Sequence, residues 1–84
     1  MRVKSSPIDE AYENLANAII GYAVNDYRNA LKGHSYDRRM PLEYLIYRLE
    51  KFFRSAYFEI LTRVDGEYLI QRLRAEHEKE KEQL

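Results

Sequence analysis

The chain has no cysteine or tryptophan, and its 84 residues include only two prolines and three glycines. Without cysteine, neither a disulfide bond nor a cysteine-ligated metal can reinforce the fold. The most apolar run, residues 15–24, is about half as long as a membrane-spanning helix must be. The N-terminal residues also lack the hydrophobic segment of a secretory signal. We therefore expect one small soluble cytoplasmic domain, stabilised by its own core or by a partner subunit.

A net charge is also lacking, because 14 basic side chains balance 14 acidic ones. This balance argues against a strongly cationic nucleic-acid binder and against an acidic mimic of DNA. The charges are nevertheless unevenly distributed along the chain. Residues 28–54 carry seven basic and three acidic groups, a net charge of +4, whereas residues 1–27 and 55–84 each have a net charge of −2. An anionic partner is therefore expected at the middle third.

Helix start and stop signals divide the chain into long segments. Ser6 and Pro7 are typical of an N-cap and a first helical position, and Gly33 is typical of a C-terminal cap. These signals predict a first helix over about residues 7–32. Pro41 opens a second segment, over about residues 41–61, whose apolar side chains recur every three or four positions and so indicate one buried face.

Two further residues decide where the later helices begin. Asp65 is a favourable N-cap and predicts a last helix over about residues 66–80. Ser55 is another candidate N-cap, but the apolar periodicity continues through it, so we favour a single helix over the middle segment. The sequence therefore predicts an all-α bundle of three helices, or of four if Ser55 begins a separate one.

The first helix is unusually apolar around its circumference. Its apolar side chains occupy roughly 240° of a helical wheel, more than twice the stripe of an ordinary surface helix. This breadth predicts packing on two sides, either within the domain or against a second copy in a homodimer. Tyr12 and Tyr27 on this arc, and Tyr68 in the last helix, are predicted to lie in the core.

Few residues could perform catalysis or hold a metal. The two histidines, His34 and His77, have no second histidine or cysteine at metal-ligand spacing. The sequence contains no glycine-rich phosphate loop and no nucleophile beside a base in a known motif. We expect a non-enzymatic protein with no catalytic residues, cofactor or metal.

Tyrosine is abundant, with eight in the chain, and it is favoured at interfaces because it combines a large apolar ring with a polar tip. Several aromatic and basic residues fall opposite the apolar face of the middle segment. Such a mixed face can bind an acidic protein surface or a nucleic-acid backbone. The alternative is that another helix covers this side. The predicted partner-binding residues are Tyr44, Tyr47, Arg48, Lys51, Arg54 and Phe58.

Two stretches, AIIGYAVNDYRNALK at residues 18–32 and LEKFFRSAYFEILTRVDGEYLIQRL at residues 49–73, carry a family resemblance. They resemble an uncharacterised group of small helical proteins from prophages and mobile elements of Gram-positive bacteria. The loop over residues 33–40 is shorter than in that group. The resemblance implies a phage-type product acting inside a bacterial host, and it implies no catalytic residues.

Three hypotheses of function follow. The first is a protein-binding module that inhibits a host defence enzyme, such as a CRISPR nuclease, by occluding it. The second is a nucleic-acid-binding accessory protein of phage replication or regulation that uses the basic middle third. A third hypothesis is a purely structural homodimer, which needs only self-association through the second apolar face of the first helix.

Overall fold

A computed structural model describes residues 7–35 and 38–82, and all of their regular structure is helical. The helices are α1 (Pro7–Leu31), α2 (Leu42–Phe53), α3 (Ala56–Leu61) and α4 (Gly66–Glu82). The all-α prediction is confirmed. Ser6, the predicted N-cap of the first helix, lies outside the described residues.

The C-terminus of α1, at Leu31, is capped by Gly33 as predicted. Its φ of 93° lies in the left-handed region, which glycine adopts without a steric penalty. The backbone N–H of Gly33 donates to the carbonyl of Ala30, at 3.0 Å, and that of His34 donates to the carbonyl of Asn29, at 2.9 Å. This pair of bonds is a Schellman motif, which satisfies carbonyls that have no partner within the helix.

The middle segment breaks at Ser55, so the favoured single helix is wrong and the alternative of four helices is confirmed. Ser55 has an extended backbone, and its Oγ accepts a hydrogen bond from the Phe58 N–H at 3.1 Å. The same Oγ donates to the carbonyl of Phe52 at 2.6 Å. One side chain therefore satisfies backbone groups on both sides of the break, which offsets the helical bonds lost there.

Asp65 caps α4 as predicted. Its Oδ1 accepts from the N–H of Glu67 at 3.2 Å, and its carbonyl accepts from the N–H of Leu69 at 3.0 Å. The next residue, Gly66, is buried against the end of α2, where a Cβ atom would overlap the carbonyl oxygen of Phe53. Glycine at this position therefore allows α4 to approach α2 closely.

The core lies where all four helices meet. Phe53 of α2 packs edge-on against Tyr27 of α1, with ring centroids 5.6 Å apart, and against Phe58 of α3, at 5.7 Å. Such edge-to-face pairs are favourable arrangements of aromatic rings. Aliphatic side chains from α2 and α4 complete the buried cluster, namely Leu45, Leu49, Ile70 and Leu73.

Only one side of α1 is covered. Tyr27 is fully buried, as predicted, but Tyr12 is 50% exposed and Tyr68 is 59% exposed, so the prediction that these two belong to the core is wrong. Leu15 and Tyr22 also lie open to solvent. Within the described residues, therefore, the second apolar side of α1 is not packed inside the domain.

Substitution of the two helical glycines by alanine should have opposite effects on the free energy of unfolding. Gly66→Ala is expected to lower the free energy of unfolding by about 1–3 kcal/mol, because the new methyl group must displace backbone atoms. Gly21→Ala is the matched control. No atom lies within 4 Å of its Cβ position, so it should raise that free energy by up to about 1 kcal/mol. Urea unfolding measures both, and equal effects would contradict the close approach of α4 to α2.

Candidate functional site

Four of the predicted partner-binding residues lie together on the outer side of α2. We call Tyr44, Tyr47, Arg48 and Lys51 the α2 stripe, and all four are exposed. They follow one another at spacings of three, one and three residues, which places them in one sector of the helix. The opposite side of α2 carries Leu45, Leu49 and Phe53, which are buried. Burial of that side directs the α2 stripe to solvent.

The two tyrosines of the α2 stripe stack on each other, and one of its cations lies beside a ring. The rings of Tyr44 and Tyr47 stack at 26° to each other, with centroids 6.3 Å apart. The ammonium of Lys51 lies 6.0 Å from the centroid of the Tyr47 ring, at the limit of a cation–π contact. Among the described residues, neither Arg48 nor Lys51 forms an ion pair. The stripe therefore presents two ordered rings beside two cations whose charges are not neutralised.

The other two predicted site residues have different environments. Phe58 is fully buried in the core, so its assignment to the exposed face is wrong. The break at Ser55 changes the helical phase, and α3 turns Phe58 inward. Arg54 is partly exposed, but its guanidinium is held by Glu67, with the Nε–Oε2 distance at 2.7 Å and the Nη2–Oε1 distance at 3.2 Å. Arg54 therefore joins α2 to α4 and lies outside the α2 stripe.

The structure also contains a polar cluster that the sequence did not reveal. Glu50, which is 8% exposed, accepts a hydrogen bond from the Tyr27 hydroxyl at 2.7 Å. Arg74 donates to Glu50 and, through Nε at 3.0 Å, to the same hydroxyl. Arg54 lies 3.4 Å from the second carboxylate oxygen of Glu50. Three side chains, those of Tyr27, Arg54 and Arg74, therefore converge on the carboxylate of Glu50, in an arrangement that positions helices.

The titration of this cluster reflects its burial and its charges. Burial raises the pKa of Tyr27 to about 12, although the hydrogen bond from Arg74 opposes this change. Burial would also raise the pKa of Glu50, but the hydrogen bonds from Arg74 and Tyr27 and the charges of Arg74 and Arg54 outweigh it, so the pKa is lowered below its usual 4.5. At neutral pH the cluster therefore contains an ionised Glu50 and a protonated Tyr27.

Neither a metal-binding group nor a membrane-spanning helix is present among the described residues. In residues 7–35 and 38–82, no group of three or more histidine or acidic side chains is placed to hold a metal ion. None of the helices described there is long and apolar enough to span a membrane.

Removing the buried hydroxyl of Tyr27 should lower the free energy of unfolding by an amount that depends on pH. Tyr27→Phe is expected to lower the free energy of unfolding by about 1–2 kcal/mol at pH 7, because Glu50 and Arg74 each lose a hydrogen-bond partner. An unfolded tyrosine ionises near pH 10, whereas folded Tyr27 keeps its proton to about pH 12. The folded pKa is the higher one, so this stabilising contribution is complete below pH 10 and is lost between pH 10 and about 12. Urea unfolding across this range should show the difference between wild type and variant narrowing.

Tyr68→Phe is the matched control, because this tyrosine is 59% exposed and lies outside the core. Its free energy of unfolding should be close to that of wild type across the whole pH range. A difference between wild type and Tyr27→Phe that stays constant above pH 10 would contradict the burial of the hydroxyl.

Comparison of the chain with protein-family models, with curated proteins and with solved structures gave no match.

Proposed function

We propose that the protein is a non-enzymatic binding module whose α2 stripe docks on an acidic surface of another protein. The observation that carries this proposal is the exposed pair of stacked tyrosines, Tyr44 and Tyr47, beside the unneutralised cations Arg48 and Lys51. Tyrosine and arginine are enriched at the energetically dominant positions of protein interfaces.

The anchoring of α2 supports this role. A binding surface is more effective when its side chains are already ordered, since less conformational entropy is lost on association. Leu45 and Phe53 fix one side of α2 in the core, and ring stacking restrains Tyr44 and Tyr47 on the other side. A tyrosine also has few rotatable bonds to immobilise when it meets a partner.

The distribution of charge favours a protein partner over a nucleic acid. Three of the seven cations in the basic middle third are paired with carboxylates of α4, namely Arg28 with Glu76, Lys32 with Glu80 and Arg54 with Glu67. Binding along a phosphate backbone requires several exposed cations. The α2 stripe contains two, together with a large aromatic surface.

The resemblance to prophage proteins suggests the kind of partner. We propose that it is a protein of the bacterial host, and that the module acts by occluding it, as an inhibitor of a defence enzyme would. Occlusion requires a binding surface and no catalytic group, which agrees with the chemistry of the α2 stripe.

The experiment compares proteins captured from a Gram-positive bacterial lysate by three immobilised baits. Replacing Tyr47, Arg48 and Lys51 together by alanine should abolish specific capture, because it removes one ring of the stack and both cations. The matched control replaces Tyr68, Arg72 and Lys79 of α4, which are also exposed, and changes the net charge equally. This control should capture the same proteins as wild type. Circular dichroism should show all three baits equally helical.

The amount of protein captured by the variant of the α2 stripe decides whether the proposal holds. Capture by the stripe variant equal to that of wild type would contradict it. A captured species that is nucleic acid, and that is released steeply as salt concentration rises, would favour the alternative function.

A further inference from the structure

A row of apolar side chains on α1 is left uncovered by the rest of the domain. Ile8 is 80% exposed, Tyr12 50%, Leu15 60% and Tyr22 71%, and Ile19 is half-buried. We call these five residues the α1 stripe. Their spacings of four, three, four and three residues place them on one side of the helix, in the pattern that helices use to pack against each other.

The α1 stripe is distinct from the side of α1 that faces the core. Ile20, Ala23 and Val24 pack against the core cluster, and Tyr27 and Ala30 belong to it. On the helical wheel these residues occupy the sector next to the stripe. The positions that border the stripe include Ala11, Ala18 and Ala23, which are small and uncharged. A second helix could therefore approach the stripe closely without burying a charge.

We propose that the α1 stripe is the interface of an antiparallel homodimer. The stripe is about 21 Å long at 1.5 Å per residue, and Leu15 lies at its middle. Two copies related by a twofold axis at Leu15 would place Ile8 of one opposite Tyr22 of the other, and Tyr12 opposite Ile19. The surface is therefore complementary to itself, as a twofold interface requires.

The exposed area of the α1 stripe is large enough for an interface with a second copy of the chain. At their exposed fractions, the large side chains of the stripe offer roughly 500 Å² per copy. A pair would then bury on the order of 1,000 Å², the size at which a specific interface becomes plausible. The borders of the stripe, which are largely alanine, add to this area.

Helix dipoles and register favour the antiparallel arrangement, because antiparallel helix dipoles attract each other. The next position in the seam after Tyr22 is Asp26. A pairing that extended beyond Tyr22 would bury the carboxylate of Asp26, and this limits the register of the two helices.

Analytical ultracentrifugation over a range of concentrations tests the interface. The wild-type chain should sediment as a dimer that dissociates on dilution. Leu15→Glu should raise the dissociation constant by roughly a hundredfold or more, because it removes two apolar side chains from the centre and brings two carboxylates together. The matched control is Asn17→Glu, which adds the same charge to an exposed position on the opposite side of the helix.

The control should dimerise like wild type. Because Leu15 is outside the core, both variants should keep the wild-type circular dichroism spectrum. A wild-type chain that is monomeric at high concentration would overturn the proposal. So would a dimer that Leu15→Glu leaves intact.

The absence of cysteine makes the arrangement directly testable by disulfide cross-linking. In the antiparallel dimer, Leu15→Cys should cross-link to itself under mild oxidation. Ile8→Cys should cross-link to Tyr22→Cys in a mixture of the two variants, and neither should cross-link efficiently alone. Efficient cross-linking of Ile8→Cys to itself would indicate parallel helices and would overturn the proposed geometry.

Discussion

The packing of Phe53 is the contact on which the four-helix arrangement depends. Its ring contacts Tyr27 of α1 and Phe58 of α3, and its carbonyl oxygen lies against Gly66 at the start of α4. One residue near the end of α2 therefore touches each of the other helices. Interiors of proteins are close-packed, so a change of shape at this point cannot be absorbed locally. The position of α4, in particular, requires a residue without a side chain at Gly66.

The buried carboxylate of Glu50 adds a directional constraint to this packing. Apolar contacts alone tolerate rotation of a helix, whereas hydrogen bonds to Tyr27 and Arg74 have narrow geometric limits. Rotating α2 would separate Glu50 from both partners and leave a charge buried without compensation, which is costly. The rotation of α2 also determines where Tyr44 and Tyr47 point. A polar contact on the inside of the helix therefore helps to fix the orientation of the candidate binding surface on the outside.

Local signals predicted the helix ends, whereas features that depend on tertiary contacts were missed. Gly33 and Asp65 act through backbone hydrogen bonds within a few residues, so their roles could be inferred from the sequence. Ser55 carried the same kind of signal, but the apolar periodicity on both sides of it outweighed that signal in the prediction. The prediction of one continuous helix therefore assigned Phe58 to the exposed face, because a helical wheel assumes one continuous phase. The burial of Glu50 depends on Arg74, 24 residues away, and no local pattern indicates such a pairing.

The small size of the domain limits how much apolar surface it can bury. A chain of 84 residues buries only roughly 60–65% of its unfolded surface. The large apolar side chains left exposed lie largely in ordered rows on α1 and α2. A dimer joined through the α1 stripe would display two α2 stripes, because the two surfaces lie on different helices. Binding of the first would make binding of the second intramolecular, so a partner with two acidic sites would be held more tightly than either contact alone allows. Self-association would in this way strengthen an interaction surface that contains only two cations and two rings in each copy.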